Sequence, residues 1–434
     1  MSNDKVLYPF QREAVKFIDS TNGRALLGDE MGLGKTVEAL TWIRKQKSSI
    51  TKVLIVCPAN VAYKWQREVS TWTSRSASII TTYKSKIPRT NTLICSYNVM
   101  TNRWKELEAL GFDCVVWDEA HYLKGNRKKT KRVAAALRLK SSYVLFLTGT
   151  PFLNRPIELF NILTILEPGK WKLGSYGIRY CGGFDHWDGP LKGATNREEL
   201  KSKLQPIMIR RLKREVLDDL PDLSRTLLPI DIRTVEYRQA MKTIDREFPM
   251  RTVMDMWKII GEEKAKVATE WANDWLANSE SSSKLLLYCH HRSVASTLEE
   301  NLRHHGSGKI TGATSLTRRD GLAQGFQRGD HPRVLIINQA GGEGIDLFGL
   351  DGIDASTIMF VERQWTPALE EQAIARLDRI GQKNSVSAIY LQARGTFDEH
   401  MSAAIDEKRT ILDDIIGEPD YNLSVQEDVL SSIR

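Results

Sequence analysis

The chain has 434 residues, 41% of them hydrophobic and 27% charged, with a net charge of +8. That length suits two or three domains with large cores and excludes a small fold that needs disulfide or metal staples. No apolar run approaches the ~20 residues of a membrane span, and the N-terminus, "MSNDKVLYPFQREAV", lacks a basic-then-apolar signal pattern, so the expectation is a soluble intracellular protein.

Moderate basicity fits a polyanionic partner or a merely solvated basic surface. Five cysteines are present: Cys57, Cys95, Cys114, Cys181 and Cys289. Their odd number and the lack of any C-x-x-C pair point to reduced core residues, not to disulfides or a zinc site.

The first apolar run, "RALL", leads into "GDEMGLGKT" at 28–36. A strand, then glycines, then a helix start gathers backbone N–H groups at one point and suits an anion. Gly32 and Gly34 permit close approach to a phosphate, Lys35 reaches β/γ-phosphates, and the Thr36 hydroxyl can hold Mg2+. The strict phosphate-loop pattern requires glycine where Asp29 stands, so a plain strand–turn–helix corner remains open at this point.

Further short runs follow: "KVLIVCP", "NTLICSY", "DCVVWDEAH" and "YVLFLTGTP". They are bounded and rich in branched residues, and the segments between them have helical spacing, which predicts a mostly parallel α/β sheet. "VVWDEAH" at 115–121 delivers two acids at the carboxyl end of a strand, the edge where such sheets bind ligands. Asp118 suits Mg2+ and Glu119 suits orientation of an attacking water; alone, the pair could also cap a helix. Thr148 and Thr150 in "LTGTP" offer hydroxyls near the same edge.

"DDLPDLSRTLLP" reads as a linker, followed by two helical stretches and the turn "NSESSSK". A second strand series then begins: "KLLLYCHH", "RVLIINQ", "TIMFVER" and "VSAIYLQ". The expected organisation is a first lobe over 1–215, a linker and helical insertion over 216–280, and a second lobe over 281–434. In "EEQAIARLDRIGQ", Arg376 and Arg379 are three apart, which predicts one helical face and suits arginine fingers. Glu371 and Asp378 also allow a salt-bridged surface helix.

The ordered set "LYPFQREAV", "DEMGLGKT", "VLIVCPANVAYKWQREV", "DEAHYLKGN", "LTGTPFLN", "IMIRRLKREVLDDLP", "LLLYCHHRSV", "QAGGEGIDL" and "QAIARLDRIGQ" resembles the Swi/Snf-type ATPases of helicase superfamily two. "GIRYCGGFDHW" and "IMIRRLKREVLDDLP" resemble the annealing-helicase (HARP-type) branch. The resemblance implies two RecA-like lobes using ATP and Mg2+, and it makes Asp29 an expected variant of the loop. It implies an adenine-side role for Gln11, and places Gly344 and Asp346 in a motif facing nucleotide and nucleic acid. Asp346 stands where the family usually has Asn, and Asp378 where it usually has His. Asp222 and Leu223 follow "LP" where the family tends to have Lys or Arg.

The resemblance also implies DNA tracking along phosphates. The residues that suit such sequence-neutral contacts are Lys64 and Arg67, Ser96 and Tyr97, the basic stretches at 124–132 and 210–214, and His290, His291 and Arg292. The expected function is a DNA-stimulated ATPase that translocates on duplex or forked DNA. A strand-separating DNA or RNA helicase and a non-hydrolysing nucleic-acid-binding scaffold are the alternatives. No accessory module fits in the remaining chain, which reads as close to a bare two-lobe motor that a targeting protein could direct. Its setting would be cytoplasmic or nucleoid-associated in a prokaryote or virus, and nuclear in a eukaryote.

Overall fold

The computed structural model describes residues 7–123, 130–149, 156–182, 195–217, 221–232, 235, 238–239, 249–342, 345–364 and 367–416. The chain divides into two compact units, Met1–Asp218 and Asp219–Arg434.

The first unit holds seven strands: β1 Arg24–Leu27, β2 Val53–Cys57, β3 Ser78–Ile80, β4 Thr92–Ser96, β5 Cys114–Asp118, β6 Tyr143–Leu147 and β7 Met208–Ile209. Their order is β3-β4-β2-β5-β6-β1-β7, and every ladder is parallel. Both faces are covered, so the central strands read as unbroken apolar runs rather than alternating ones. One core includes Leu26, Val56, Trp117 and Phe146; the other includes Leu27, Ile55, Val116 and Leu145. Helices α1 Pro9–Ser20, α2 Lys35–Lys45, α3 Ala62–Trp72 and α4 Tyr97–Leu110 flank the sheet.

The second unit holds β8 Leu223–Ile230, β9 Ser283–Tyr288, β10 Ser307–Ile310, β11 Val334–Ile337, β12 Asp354–Phe360 and β13 Val386–Ala393. The order is β10-β11-β9-β12-β13-β8, again parallel throughout. This is the two-lobe α/β architecture that the alternating pattern predicts.

The 216–280 segment differs from its expectation as linker and insertion. Eight of its residues form β8, in full register with β13 from Leu223↔Val386 to Ile230↔Ala393. Of the two prolines in the stretch that reads as a linker, Pro229 sits in an edge strand, where a missing N–H costs little, and Pro221 just precedes that strand. The helix Pro249–Asn278 packs onto the same unit with buried residues at helical spacing. Val253, Met256, Trp257 and Ile260 meet Phe397, Met401 and Ile405; Ala265, Ala268, Ala272 and Leu276 meet Leu285 and Leu287.

All five cysteines are free and buried, as expected of core thiols. Burial pushes Cys95 and Cys114 up to about 12, which keeps them protonated and inert. No described helix is long and apolar enough to cross a membrane.

One buried ion pair ties the long helix to the second sheet. Lys264 Nζ lies 2.5 Å from Asp398 Oδ2, with side-chain exposures of 1% and 0%. The ammonium also donates to the Leu391 carbonyl at 2.7 Å, and the carboxylate accepts from the Ala393 N–H at 2.8 Å. Breaking such a pair strands a buried charge. Asp398→Ala is expected to lower unfolding free energy by ~3–5 kcal/mol in urea melts, and Lys264→Met/Asp398→Leu by much less. A loss below ~1 kcal/mol in the single variant would show that the pair is not structural.

Candidate functional site

The parallel register of the first sheet fixes where the chemistry collects. Leu147 of β6 is the partner of both Leu27 in β1 and Asp118 in β5. The glycine loop after β1 and the acids ending β5 therefore emerge at one level, on either side of β6. Thr148 follows on β6, buried, and donates its N–H to the Leu27 carbonyl at 3.1 Å. Thr150 lies outside the described residues.

The loop takes its shape from two left-handed glycines, Gly32 at φ 94° and Gly34 at φ 88°. A Cβ on Gly34 would lie 2.5 Å from Gln11 Nε2, so a side chain there is strained and obstructed. Gln11 is buried in α1. Its amide donates to the Leu33 carbonyl at 3.0 Å and its oxygen accepts from the Tyr8 N–H at 3.1 Å. In this structure Gln11 braces the loop from within. Lys35, the first residue of α2, donates to the loop carbonyls of Asp29 at 2.5 Å and Glu30 at 3.1 Å. Burial lowers its ammonium pKa, and the carboxylates of Glu119, Asp29, Glu38 and Asp118 oppose that shift.

Asp29, the departure from the strict loop pattern, is fully buried and accepts a two-pronged hydrogen bond from Arg211 Nε and Nη2. Arg211 also reaches Glu38 at 3.3 Å, donates to the Phe10 carbonyl and lies 5.2 Å over the Phe10 ring. Burial, then Asp29, pushes the Glu38 carboxyl well up, and Arg211 and Lys35 pull against it. Arg210 donates to the Gly28 carbonyl at 3.0 Å. The basic stretch 210–214, expected to meet DNA, thus turns Arg210 and Arg211 onto the phosphate loop. A regular spacing of basic residues does not reveal such a long-range tie.

Asp118 ends β5, and three donors fix it and its peptide group. Trp65 Nε1 donates to its Oδ2 at 2.7 Å, the Glu119 N–H to its Oδ1 at 3.1 Å, and the Tyr97 hydroxyl to its carbonyl at 2.8 Å. Its carboxyl is raised to about 6, chiefly by burial and then by Glu119; the Trp65 hydrogen bond, Lys64 and Lys35 act the other way. Glu119 has φ 50°, a left-handed conformation that costs a non-glycine residue roughly 1–3 kcal/mol. His121 Nδ1 lies 3.3 Å from Glu119 Oε2.

Among the described residues no cluster of three or more His, Cys, Asp or Glu side chains could hold a metal ion. A hard cation that takes one or two carboxylates and shares substrate phosphates fits this donor set better than a protein-caged metal does. Asp118 and Thr36 are oxygen donors of the type such a cation takes.

In the second unit, Arg376 and Arg379 do not share a helical face. The helix Pro367–Ile374 ends before both. In the turns that follow, the Arg376 carbonyl accepts the Leu347 N–H at 2.9 Å and the Leu377 carbonyl accepts the Gln382 amide at 3.3 Å. Arg379 instead forms an ion pair with Asp346, the residue standing where the family has Asn, and lies 5.7 Å over the Phe348 ring. Arg376 lines a small cleft with Tyr288, Gln339 and Leu369. Gly344 lies outside the described residues.

The residues expected to meet DNA separate by placement. On α3, Arg67 is exposed and Lys64 half-buried. Ser96 caps α4, accepting the Val99 N–H at 3.2 Å, and Tyr97 is buried at 2%. Residues 124–129 lie outside the description; Arg132 covers the Tyr97 and Tyr122 rings at 5.7 and 5.5 Å. His290 stacks on Trp257 at 4.1 Å, and Glu362 accepts from His290 N, His291 N and His291 Nδ1, so both histidines turn inward. Arg292 is exposed and lines a polar cleft of about 470 Å3 with Lys309, Arg318, Thr311 and Ser315.

Comparison with known proteins gives the family of the chain. A family model described as SNF2-related domain matches residues 10–280, and one described as helicase conserved C-terminal domain matches residues 267–381. A Caenorhabditis elegans homolog of SWI/SNF-related matrix-associated actin-dependent regulator of chromatin subfamily A-like protein 1 is 34% identical over 94% of this chain and 61% of its own length. The human DNA annealing helicase and endonuclease ZRANB3 is 33% identical over 93% of this chain and 40% of its own length. The chain thus spans about three fifths or less of these relatives. A solved Sulfolobus solfataricus SWI2/SNF2 ATPase core in complex with dsDNA covers 97% of this chain and 96% of its own, at 23% identity and a TM-score of 0.46. With a family model spanning more than half of its residues, this chain belongs to the SNF2-related family.

Proposed function

We propose that this chain is a DNA-stimulated ATPase that translocates on duplex or forked DNA. The observation that carries the reading is the shared sheet edge: a glycine loop with Lys35 and an acid pair at Asp118–Glu119, set level by Leu147. The relatives' printed names, an annealing helicase among them, support DNA as the track.

In this reading the loop around Gly32 and Gly34 takes the phosphates of ATP, with Lys35 leaving its loop carbonyls for the β/γ-phosphates. Gln11 couples the adenine side to the loop through the Leu33 carbonyl. Thr36 and Asp118 would hold Mg2+, which neutralises phosphate charge when bound. Glu119 orients water for in-line attack. Arg376 and Arg379 stabilise charge on the transferred phosphoryl group, and Arg379 must first exchange its Asp346 partner. Asp346 therefore acts on nucleotide through this arginine, and Gly344 belongs to the same motif. Lys64, Arg67 and Arg292 hold DNA phosphates without reading sequence. Ser96 and Tyr97 shape the segment beside them.

Lys35→Ala and Glu119→Gln are each expected to lower ATP turnover at least ~100-fold while thermal melting stays near wild type. Turnover at the wild-type rate in either variant would remove the assignment.

Arg67→Ala/Arg292→Ala is expected to weaken binding of any duplex sequence alike and to flatten the log–log salt dependence of affinity by about 2. An unchanged slope would mean that these arginines do not meet phosphate.

A further inference from the structure

The peptide unit joining Asp118 to Glu119 is held at both of its polar atoms. Its carbonyl accepts the Tyr97 hydroxyl at 2.8 Å. Its N–H donates to Asp118 Oδ1 at 3.1 Å, and the other oxygen of that carboxylate accepts the Trp65 indole at 2.7 Å. Both sides of this peptide are held, and Glu119, which follows it with its own carbonyl bound by the Tyr122 N–H, adopts φ 50°. Left-handed strain persists where surrounding contacts over-determine it.

The two outer clamps come from the two segments assigned to DNA. Trp65 is 2% exposed and belongs to the core beneath α3, beside Val61, Val69 and Cys57, so its indole moves with the helix. Lys64 precedes it and Arg67 follows two residues later. Tyr97 opens α4 directly after Ser96. Its ring stacks on Tyr122 at 5.1 Å, and the Tyr122 N–H in turn binds the Glu119 carbonyl at 3.0 Å. A DNA strand that shifts α3 or α4 thereby shifts a donor on Asp118.

We propose that Trp65 and Tyr97 are positioning residues that transmit DNA engagement to Asp118 and Glu119, setting the acids for hydrolysis when DNA is bound. The proposal deepens the reading of the chain as a DNA-stimulated ATPase and depends on it.

The test uses Trp65→Phe and Tyr97→Phe, which keep the rings and remove one donor each. For the full chain, three quantities are measured: duplex affinity, the factor by which saturating duplex raises ATP turnover, and the factor by which it tightens a non-hydrolysable ATP analogue. The last is a linkage that a merely structural role would leave in place. Each variant is expected to bind duplex like wild type, to lose roughly tenfold or more of the stimulation, and to bring the linkage factor close to one. Stimulation and linkage at wild-type levels in both variants would overturn the proposal while leaving the ATPase reading intact. A wild-type rate that no DNA raises would overturn both.

Discussion

The buried pairing of Asp29 with Arg211 is the interaction around which the first unit's site is organised. A carboxylate with no exposure is tolerable only with a charged, hydrogen-bonded partner, and Arg211 supplies a planar fork that matches it. The same guanidinium reaches Glu38 and the Phe10 carbonyl, joining the loop, α2 and α1 to the strand-end segment at 210–211. The loop, the Gln11 brace and the position of Lys35 all presuppose that junction. A residue that departs from the strict loop spelling is therefore part of what holds the loop in shape.

How much of the fold was legible follows from where each strand sits. The nine strands expected from apolar runs, among them β2 "VLIVC" and β12 "DASTIMF", are found, all nine with neighbours on both sides. The four that were missed, β3, β7, β8 and β10, are the four sheet edges. An edge strand is half solvated and needs no continuous apolar run, and "LSRTLLPI" in β8 is mostly exposed. Pairing with β13 across more than 150 positions of sequence makes it a strand, and no local window contains that information.

The site divides along the same line. Lys35, Asp118 and Glu119 announce themselves because their chemistry is tied to local spacing at strand ends. Arg211, Trp65 and Tyr97 do not, because each acts through a partner at least 21 residues away. The three-residue spacing of Arg376 and Arg379 does not put them on one helical face because the helix ends at Ile374, and the turns beyond it make long-range bonds to Leu347. Charge clusters were the least informative signal. Of the arginines and histidines expected to meet DNA, Arg210, Arg211, His290 and His291 point inward, while Arg67 and Arg292 remain exposed.

The central claim, that ATP hydrolysis here is driven by DNA, is tested most directly by one measurement. ATP turnover by the purified chain would be followed alone and with blunt duplex, forked DNA, single-stranded DNA and RNA, each at two salt concentrations. The account predicts strong stimulation by duplex or forked DNA that fades with salt as phosphate contacts are screened. Stimulation confined to single strands or RNA, or none at all, would contradict it.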